Sequence, residues 1–373
     1  MGTKSKIYSE PKGVCLIISP WNYPFNLTLN PIISAIAAGN CIIVKPSEFT
    51  PNTSNLIQKI FDFIFKSSEI SVVQGDHNIG AYLVKMKFDH IFFTGSPEIG
   101  SFVMEAASKN LVPVTLELGG KSPAIIGESA DLKKASDRIW NGKLMNAGQT
   151  CIAPDYVYVK EEVLGDWMEA TNNSISLMYP SIFDNDDYTS VVNEGHYARL
   201  DGYIEDAKNK GADVIEINPA NESEKSHNKM MPTIILNATD DMLVMQEEIF
   251  GPIMPVKTYN QIDEVVDYIN LHERPLGLYY FGNKKSEEEF VMSNTVSGGA
   301  ALNDVIFQFI QDDLPFGGIG PSGMGNYHGI EGFRTFSHAR GVYKQTSFET
   351  VLKLMRPPFG KLVDQIVSTK IKK

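Results

Sequence analysis

Between residues 14 and 110, short apolar runs rich in β-branched residues alternate with segments whose apolar residues recur at helical spacing, and this constrains the fold most. The runs "VCLIIS" (14–19), "CIIVK" (41–45), "ISVVQ" (70–74) and "HIFFT" (90–94) are bounded by Gly, Pro and Ser. They are too short and too uniformly apolar for half-exposed strands and predict buried ones. Between them lie "LTLNPIISAIAAG", "NTSNLIQKIFDFIFK" and "IGSFVMEAASKN", which predict helices. Strand–helix alternation of this kind implies a parallel, doubly wound α/β sheet, whose ligands gather at the carboxyl ends of the strands. From about residue 119 the pattern starts again: "PAIIG", a helix over 131–146, "VYVK" before a helix over 162–178, "DVIEI" after one over 193–210, and "IMPVKTY" before "IDEVVDYINLH". A second α/β domain is expected there. The loop 219–229 is charged and expected to be mobile. The Gly-rich stretch 313–329 reads equally as a linker or as a loop lining a pocket between domains.

At 373 residues the chain is long enough for two such domains, each with its own core. A net charge of −12 argues against nonspecific attraction to nucleic acid or an anionic membrane. No apolar stretch is long enough to span a bilayer, and the start of the chain has no secretory h-region, so the cytoplasm is expected. Three cysteines, at 15, 41 and 151, have neither disulfide nor metal-ligand spacing. Cys15 and Cys41 sit in apolar runs and are expected to be inert strand residues.

Several side chains are candidates for chemistry, each with a plainer reading beside it. Cys151, in "NAGQTCIAPDY", is either a small buried hydrophobe or a nucleophile that needs an amide-rich or electropositive setting. Glu117 interrupts the apolar strand of "VTLELGGKSP", where a carboxylate is costly unless ion-paired or used as a base with a raised pKa. Asn22, between two prolines in "SPWNYPF", either bonds an oxyanion or caps a turn. Lys45 and Glu48 in "IIVKPSEF" either grip sugar hydroxyls or form a solvated pair. "FTGSPEIGSF" lacks the middle glycine of a dinucleotide fingerprint, yet Gly95 and Ser96 at a strand–helix junction can still face a phosphate.

The segments "SPWNYPF", "KPSE", "FTGS", "LELGGKSP", "GQTC", "EEIFGP" and "PFGGIGPSGMG" occur in the order of the signature segments of the NAD(P)-dependent aldehyde dehydrogenase superfamily, which the chain resembles from about Lys6 to at least His338. "WNYPFNLTL", "GQTCIAPDY", "NDVI" and "SGMGNYHG" resemble its class 3 branch, which includes fatty and coniferyl-type aldehyde dehydrogenases. The resemblance implies two Rossmann-like domains with a small β oligomerisation element. It divides the chain into a bridging strand (1–14), a cofactor-binding domain (15–118), a catalytic domain (119–320), a return segment with an oligomerisation strand (321–350) and a tail (351–373). Cys151 then matches the nucleophile, Glu117 the general base, and Asn22 an oxyanion donor alongside the Cys151 N–H. Lys45 and Glu48 match contacts to the adenosine ribose, and Gly95 and Ser96 contacts to the pyrophosphate. Glu248 matches the residue binding the nicotinamide ribose and Phe250 the one packing on the nicotinamide side, and Gly119 is a further cofactor-binding candidate. Tyr23 and Thr150 match the aldehyde pocket, to which Phe307 and Phe309 are added as candidates.

The implied reaction is oxidation of a medium- or long-chain aliphatic or an aromatic aldehyde to its acid. The implied cofactor is NAD, towards which Glu48 tilts the choice by repelling a 2′-phosphate, while class 3 relatives tolerate NADP as well. A homodimer is implied, paired through the early strand and residues 335–348. Two features depart from the family pattern. The chain begins at the strand pair before "PWNYP", so the family's N-terminal helices are expected to be missing from the cofactor sheet and apolar surface to be exposed there. Before the nucleophile, Asn141 stands where relatives often carry an aromatic, and Trp140 is one place early. Other readings of the same motifs are a CoA-acylating enzyme, which Glu117 argues against because that chemistry avoids hydrolysis, and an impaired fragment acting as a binding subunit.

Overall fold

A computed structural model describes residues 4–223, 228–345 and 356–371. Its strands are β1 (Lys4–Pro11), β2 (Val14–Ile18), β3 (Cys41–Lys45), β4 (Ile70–Val72), β5 (His90–Thr94) and β6 (Val114–Glu117). There follow β7 (Pro123–Ile126), β8 (Tyr156–Lys160), β9 (Asp213–Glu216), β10 (Thr233–Leu236) and β11 (Ile253–Tyr259). The last are β12 (Gly277–Phe281), β13 (Gly299–Leu302), β14 (Gly323–Met324) and β15 (Ser337–Lys344).

They form three sheets. The first has the order β14-β6-β5-β2-β3-β4 and is parallel apart from β14, which runs antiparallel to β6. Its register pairs Ile18 with both Lys45 and Phe93, and Thr94 with Glu117, so the carboxyl ends of four strands form one row. The second sheet has the order β13-β12-β7-β8-β11-β10-β9 and is parallel except for β9. The third is an antiparallel ribbon of β1 and β15, with mostly exposed side chains. The strands change sheet between Glu117 and Pro123. One core cluster includes Ile17 and Val44 of the first sheet, Ile126 and Val157 of the second, and Trp140 and Leu144 between them.

Local sequence explains the helices that frame the first sheet. Pro51 opens the helix Pro51–Ile64, which buries Ser54, Ile57 and Phe61 along one stripe. Ser96 caps the helix Pro97–Ser108 by accepting from the Ile99 N–H at 3.4 Å. Apolar side chains are left exposed on this sheet's helices, among them Ile33, Leu56 and Phe63, the last 92% exposed.

The structure departs from the sequence expectations in several places. The helix expected over 131–146 ends at Leu144, because Asn146, Ala147 and Gly148 all take positive φ. Strand β4 stops at Val72, and Cys41, although in a strand, is exposed. Strands β10, β12 and β13 and the helix His77–Leu83 had no sequence signal strong enough to separate them from loops. The stretch 313–329 is not a linker: β14 pairs with β6, and Phe316 bridges to Tyr327. Gly323 is required there, since its φ is 140° and a Cβ would run into the Leu116 carbonyl. Of the charged loop, residues 224–227 lie outside the described residues, as do 346–355 of the pairing segment and tail. The tail's helix Lys361–Ile371 buries no residue. Among the described residues, no helix is long and apolar enough to cross a membrane.

Candidate active site

Cys151 follows a turn in which the backbone is forced left-handed three times in succession, with φ of 51°, 52° and 77° at Asn146, Ala147 and Gly148. For Asn146 and Ala147 this costs roughly 1–2 kcal/mol each, and it persists because side chains hold it. Asn146 Nδ2 donates to the Asn22 carbonyl at 2.8 Å. Buried Gln149 donates through Nε2 to the carbonyls of Asn146 and Ser190, and its Oε1 accepts from the Val192 N–H. Gly148 is required because a Cβ would collide with the Gly251 carbonyl.

Asn22 is drawn into the same network. Its Nδ2 donates one hydrogen to the Gln149 carbonyl at 3.0 Å, which fixes the amide and leaves the second hydrogen free. Beside it, the Tyr23 hydroxyl and Thr150 Oγ1 are 2.8 Å apart. The Cys151 thiol is half-buried, and burial pushes its pKa far up, with the charges of Glu248 and then Glu117 adding to the effect.

Glu117 ends β6 with a side chain 3% exposed, and neither carboxyl oxygen has a hydrogen-bond partner. Burial holds its pKa well above the ordinary carboxylate range. The structural ion pair that would make it inert is absent: no cation bonds it among the described residues. A buried carboxyl without partners lowers stability, so it is not retained for folding.

Cys151, Glu117 and Asn22 open onto one cavity of about 770 Å³ along the carboxyl edge of the first sheet. Gly95, Ser96, Gly119, Glu248 and Phe250 line it as well. Gly119 is bare because a Cβ would run into the Glu248 carboxylate, and Gly95 because one would meet the Phe93 ring. The pKa of Glu248 is raised to about 8, mainly by burial and then by the charge of Asp155. Phe250 has φ 51° and meets the Trp21 ring edge-on at 5.4 Å.

The remaining sequence candidates lie outside this lining. Lys45 and Glu48 form a 2.6 Å ion pair at the end of β3, on the same row of strand ends. Tyr23 and Thr150 bond each other next to Asn22 and Cys151 in the chain. Phe307 is 45% exposed, and Phe309 packs edge-on against Phe316 and His328. Trp140, one place early, is buried and donates to Thr171 Oγ1 at 3.1 Å. The glycine of that segment, Gly142, is needed because a Cβ would hit Val305.

Sequence reasoning missed Asn146 and Gln149, which hold the turn before Cys151, and Lys121, Asp155 and Arg199, which hold the loop bearing Glu248. Four of the five fall within or near the motifs, where nothing in their spacing marks them, and Arg199 lies far from any of them, in the helix Glu194–Asn209. Their partners are mostly backbone carbonyls and N–H groups, which a residue pattern does not show.

A coniferyl aldehyde dehydrogenase of Pseudomonas sp. is 46% identical over 98% of this chain and 77% of its own length. A probable coniferyl aldehyde dehydrogenase of Caulobacter vibrioides is 50% identical, covering all of this chain and 77% of the relative. Among solved structures, the substrate-bound state of Staphylococcus aureus AldH superposes with a TM-score of 0.92 at 41% identity, over 99% of this chain and 79% of that one. An aldehyde dehydrogenase of Mycobacterium tuberculosis complexed with NAD+ gives 0.84 at 28% identity, over 92% and 71%. Residues 1–342 match the model of the aldehyde dehydrogenase family. With that match spanning nearly the whole chain and relatives at half identity along all of it, the chain belongs to the aldehyde dehydrogenase family.

Proposed function

We propose that the chain oxidises a medium- or long-chain aliphatic or an aromatic aldehyde to its carboxylic acid, with NAD+ or NADP+, through a thioester on Cys151. One observation carries this reading: a thiol and a carboxyl with no partner of its own share one cavity, beside an amide that is fixed with one hydrogen to spare. The relatives point the same way, two of them being named for coniferyl aldehyde.

A nicotinamide dinucleotide fits the residues present. The bare backbone at Gly95 and Gly119 lets a ligand lie close along the strand ends. Ser96 and the N–H groups opening the helix Pro97–Ser108 suit a pyrophosphate. Lys45 and Glu48 would hold the adenosine ribose, and Glu248 and Phe250 the nicotinamide end. A bound NAD+ supplies the hydride acceptor and a positive charge that favours the thiolate. The Glu48 carboxylate weights the choice towards NAD+ by repelling a 2′-phosphate.

Cys151, as its thiolate, adds to the aldehyde carbon. The oxygen becomes an alkoxide held by the free Asn22 N–H and the Cys151 backbone N–H. Loss of hydride from that carbon leaves the thioester. Glu117 then takes a proton from water, the hydroxide adds to the thioester, and collapse expels the Cys151 thiolate with release of the acid. Glu117 must be ionised for this step, and burial holds its pKa above the ordinary carboxylate range, so the step is faster as pH rises. Within this reading, residues 15–118 bind the cofactor, residues 119–320 carry the nucleophile, and the β1–β15 ribbon pairs two copies.

The test is NADH formation across a panel of aliphatic and aromatic aldehydes, with Cys151→Ser as control. Turnover is expected from the wild type and none from the variant, with acid rather than an acyl-CoA as product even when CoA is supplied. Equal rates from both proteins would overturn the assignment.

A further inference from the structure

One buried ion pair in the cleft has no part in the chemistry above. Asp155 is 3% exposed, and each of its carboxylate oxygens is committed. Oδ1 is bonded to Lys121 Nζ, and Oδ2 accepts from the Ile249 N–H at 2.9 Å. Its own N–H donates to the Ser122 carbonyl at 2.8 Å. The Lys121 ammonium donates twice more, to the carbonyls of Val244 at 2.7 Å and Glu247 at 3.0 Å, which uses all three of its hydrogens. Arg199 closes the set from another side, donating to the Ile249 carbonyl at 2.9 Å.

These bonds converge on one segment, 244–250, whose side chains Glu248 and Phe250 face the cavity. The segment has no sheet to hold it: a four-residue helix Leu243–Gln246 is followed by extended backbone, and Phe250 has positive φ. The Glu248 carboxylate lies over Gly119, two residues before Lys121, so the chain that receives Glu248 also anchors it. The pair further ties the nucleophile's own segment, through Asp155, to this loop.

We propose that Lys121 and Asp155 are positioning residues, a clamp that fixes the 244–250 segment against the nucleophile loop and thereby sets the affinity for the nicotinamide nucleotide. The clamp rests on the dehydrogenase reading of the cleft. Removing one partner leaves the other charge buried without compensation and frees the backbone groups that aim Glu248 and Phe250.

The experiment is calorimetric titration of wild type, Asp155→Asn, Lys121→Gln and Lys121→Arg with NAD+, together with the rate of Cys151 alkylation by iodoacetamide without nucleotide, the KM for aldehyde and the melting temperature. Asp155→Asn and Lys121→Gln are expected to weaken NAD+ binding by about tenfold or more, the loss of one buried charged partner. Alkylation is not slowed and the aldehyde KM stays at its wild-type value, and Lys121→Arg retains most of the affinity. If Asp155→Asn does not fold, Lys121→Gln against Lys121→Arg decides. Wild-type affinity in either weakened variant overturns the clamp, as does a lower melting temperature with unchanged affinity, which assigns the pair to stability alone. A wild type that binds no NAD+ fails the dehydrogenase reading itself, and the clamp with it.

Discussion

The two ends of the six-stranded sheet treat buried polar groups in opposite ways. At the amino end, His90 is 2% exposed and both ring nitrogens are bonded: Lys12 Nζ donates to Nδ1 at 3.1 Å, and Nε2 donates to Thr115 Oγ1 at 3.0 Å. Around it, Asp89 accepts from the Val14 N–H and Asn40 ties Gly13 to Phe336. Cys15, fully buried there, has its thiol pushed up to about 12 by burial. At the carboxyl end, Glu117 is as deeply buried but has no partner, and Asn22 is bonded on one side only. The end that only has to be stable satisfies its polar groups. The end that faces a cavity leaves them open, at a cost to stability, for a ligand or reacting atoms to complete.

That contrast predicts a separation of effects, largest first. Cys151→Ser is expected to lower turnover by about 10⁴-fold or more, measured as NADH formation, because an alcohol replaces the nucleophile. Glu117→Gln is expected to lower steady-state turnover by about 10²–10⁴-fold while keeping a single burst of NADH per site, since only the hydrolytic step needs the base. Rapid mixing would show the burst. The wild type's rise in acyl-enzyme hydrolysis with increasing pH is expected to vanish in this variant. Its melting temperature should be no lower than wild type, because the group it replaces bonds nothing; a marked fall would break the contrast.

Asn22→Ala is expected to lower kcat by about 10²–10³-fold, the usual effect of losing one oxyanion donor. Alkylation of Cys151, which builds no oxyanion, should proceed at the wild-type rate. At the other end of the sheet, His90→Gln should leave kcat/KM unchanged and lower stability by about 1–3 kcal/mol in denaturant unfolding. Burial, and then the charge on Lys12, holds the pKa of His90 down to about 3. The unfolded chain takes up this proton near pH 6.5 and the folded one refuses it. Wild-type stability should therefore fall from about pH 6.5 to about pH 3, by on the order of 4 kcal/mol, and less steeply in the variant. A His90 variant that lost activity without losing stability would erase the difference between the two ends.

Much of this was legible in the residues. The strands β2, β3 and β5 are continuous β-branched runs, as only strands buried on both faces can be, and their limits agree with the structure almost residue for residue. Glu117 stood out because an acid inside an apolar strand has no cheap explanation. Strands β10, β12 and β13 did not stand out: four- or five-residue runs such as "TIIL" and "GLYYF" become strands only when a neighbour pairs with them. The helix before Cys151 was expected to run to residue 146, two residues too far, because Asn146 carries no mark of its positive φ. Asn146 is held there by Gln149, which donates to its carbonyl, and by its own side-chain bond to the Asn22 carbonyl.

The sequence by itself determined the α/β class, the family motifs and the candidate thiol, carboxyl and amide, since these depend on local pattern and residue chemistry. Only the tertiary structure decided that the three open onto one cavity, that Glu117 has no partner while Asp155 has two, and that the Gly-rich segment folds back over β6. Those outcomes are set by which groups from separate parts of the chain meet, and no local pattern encodes such a meeting.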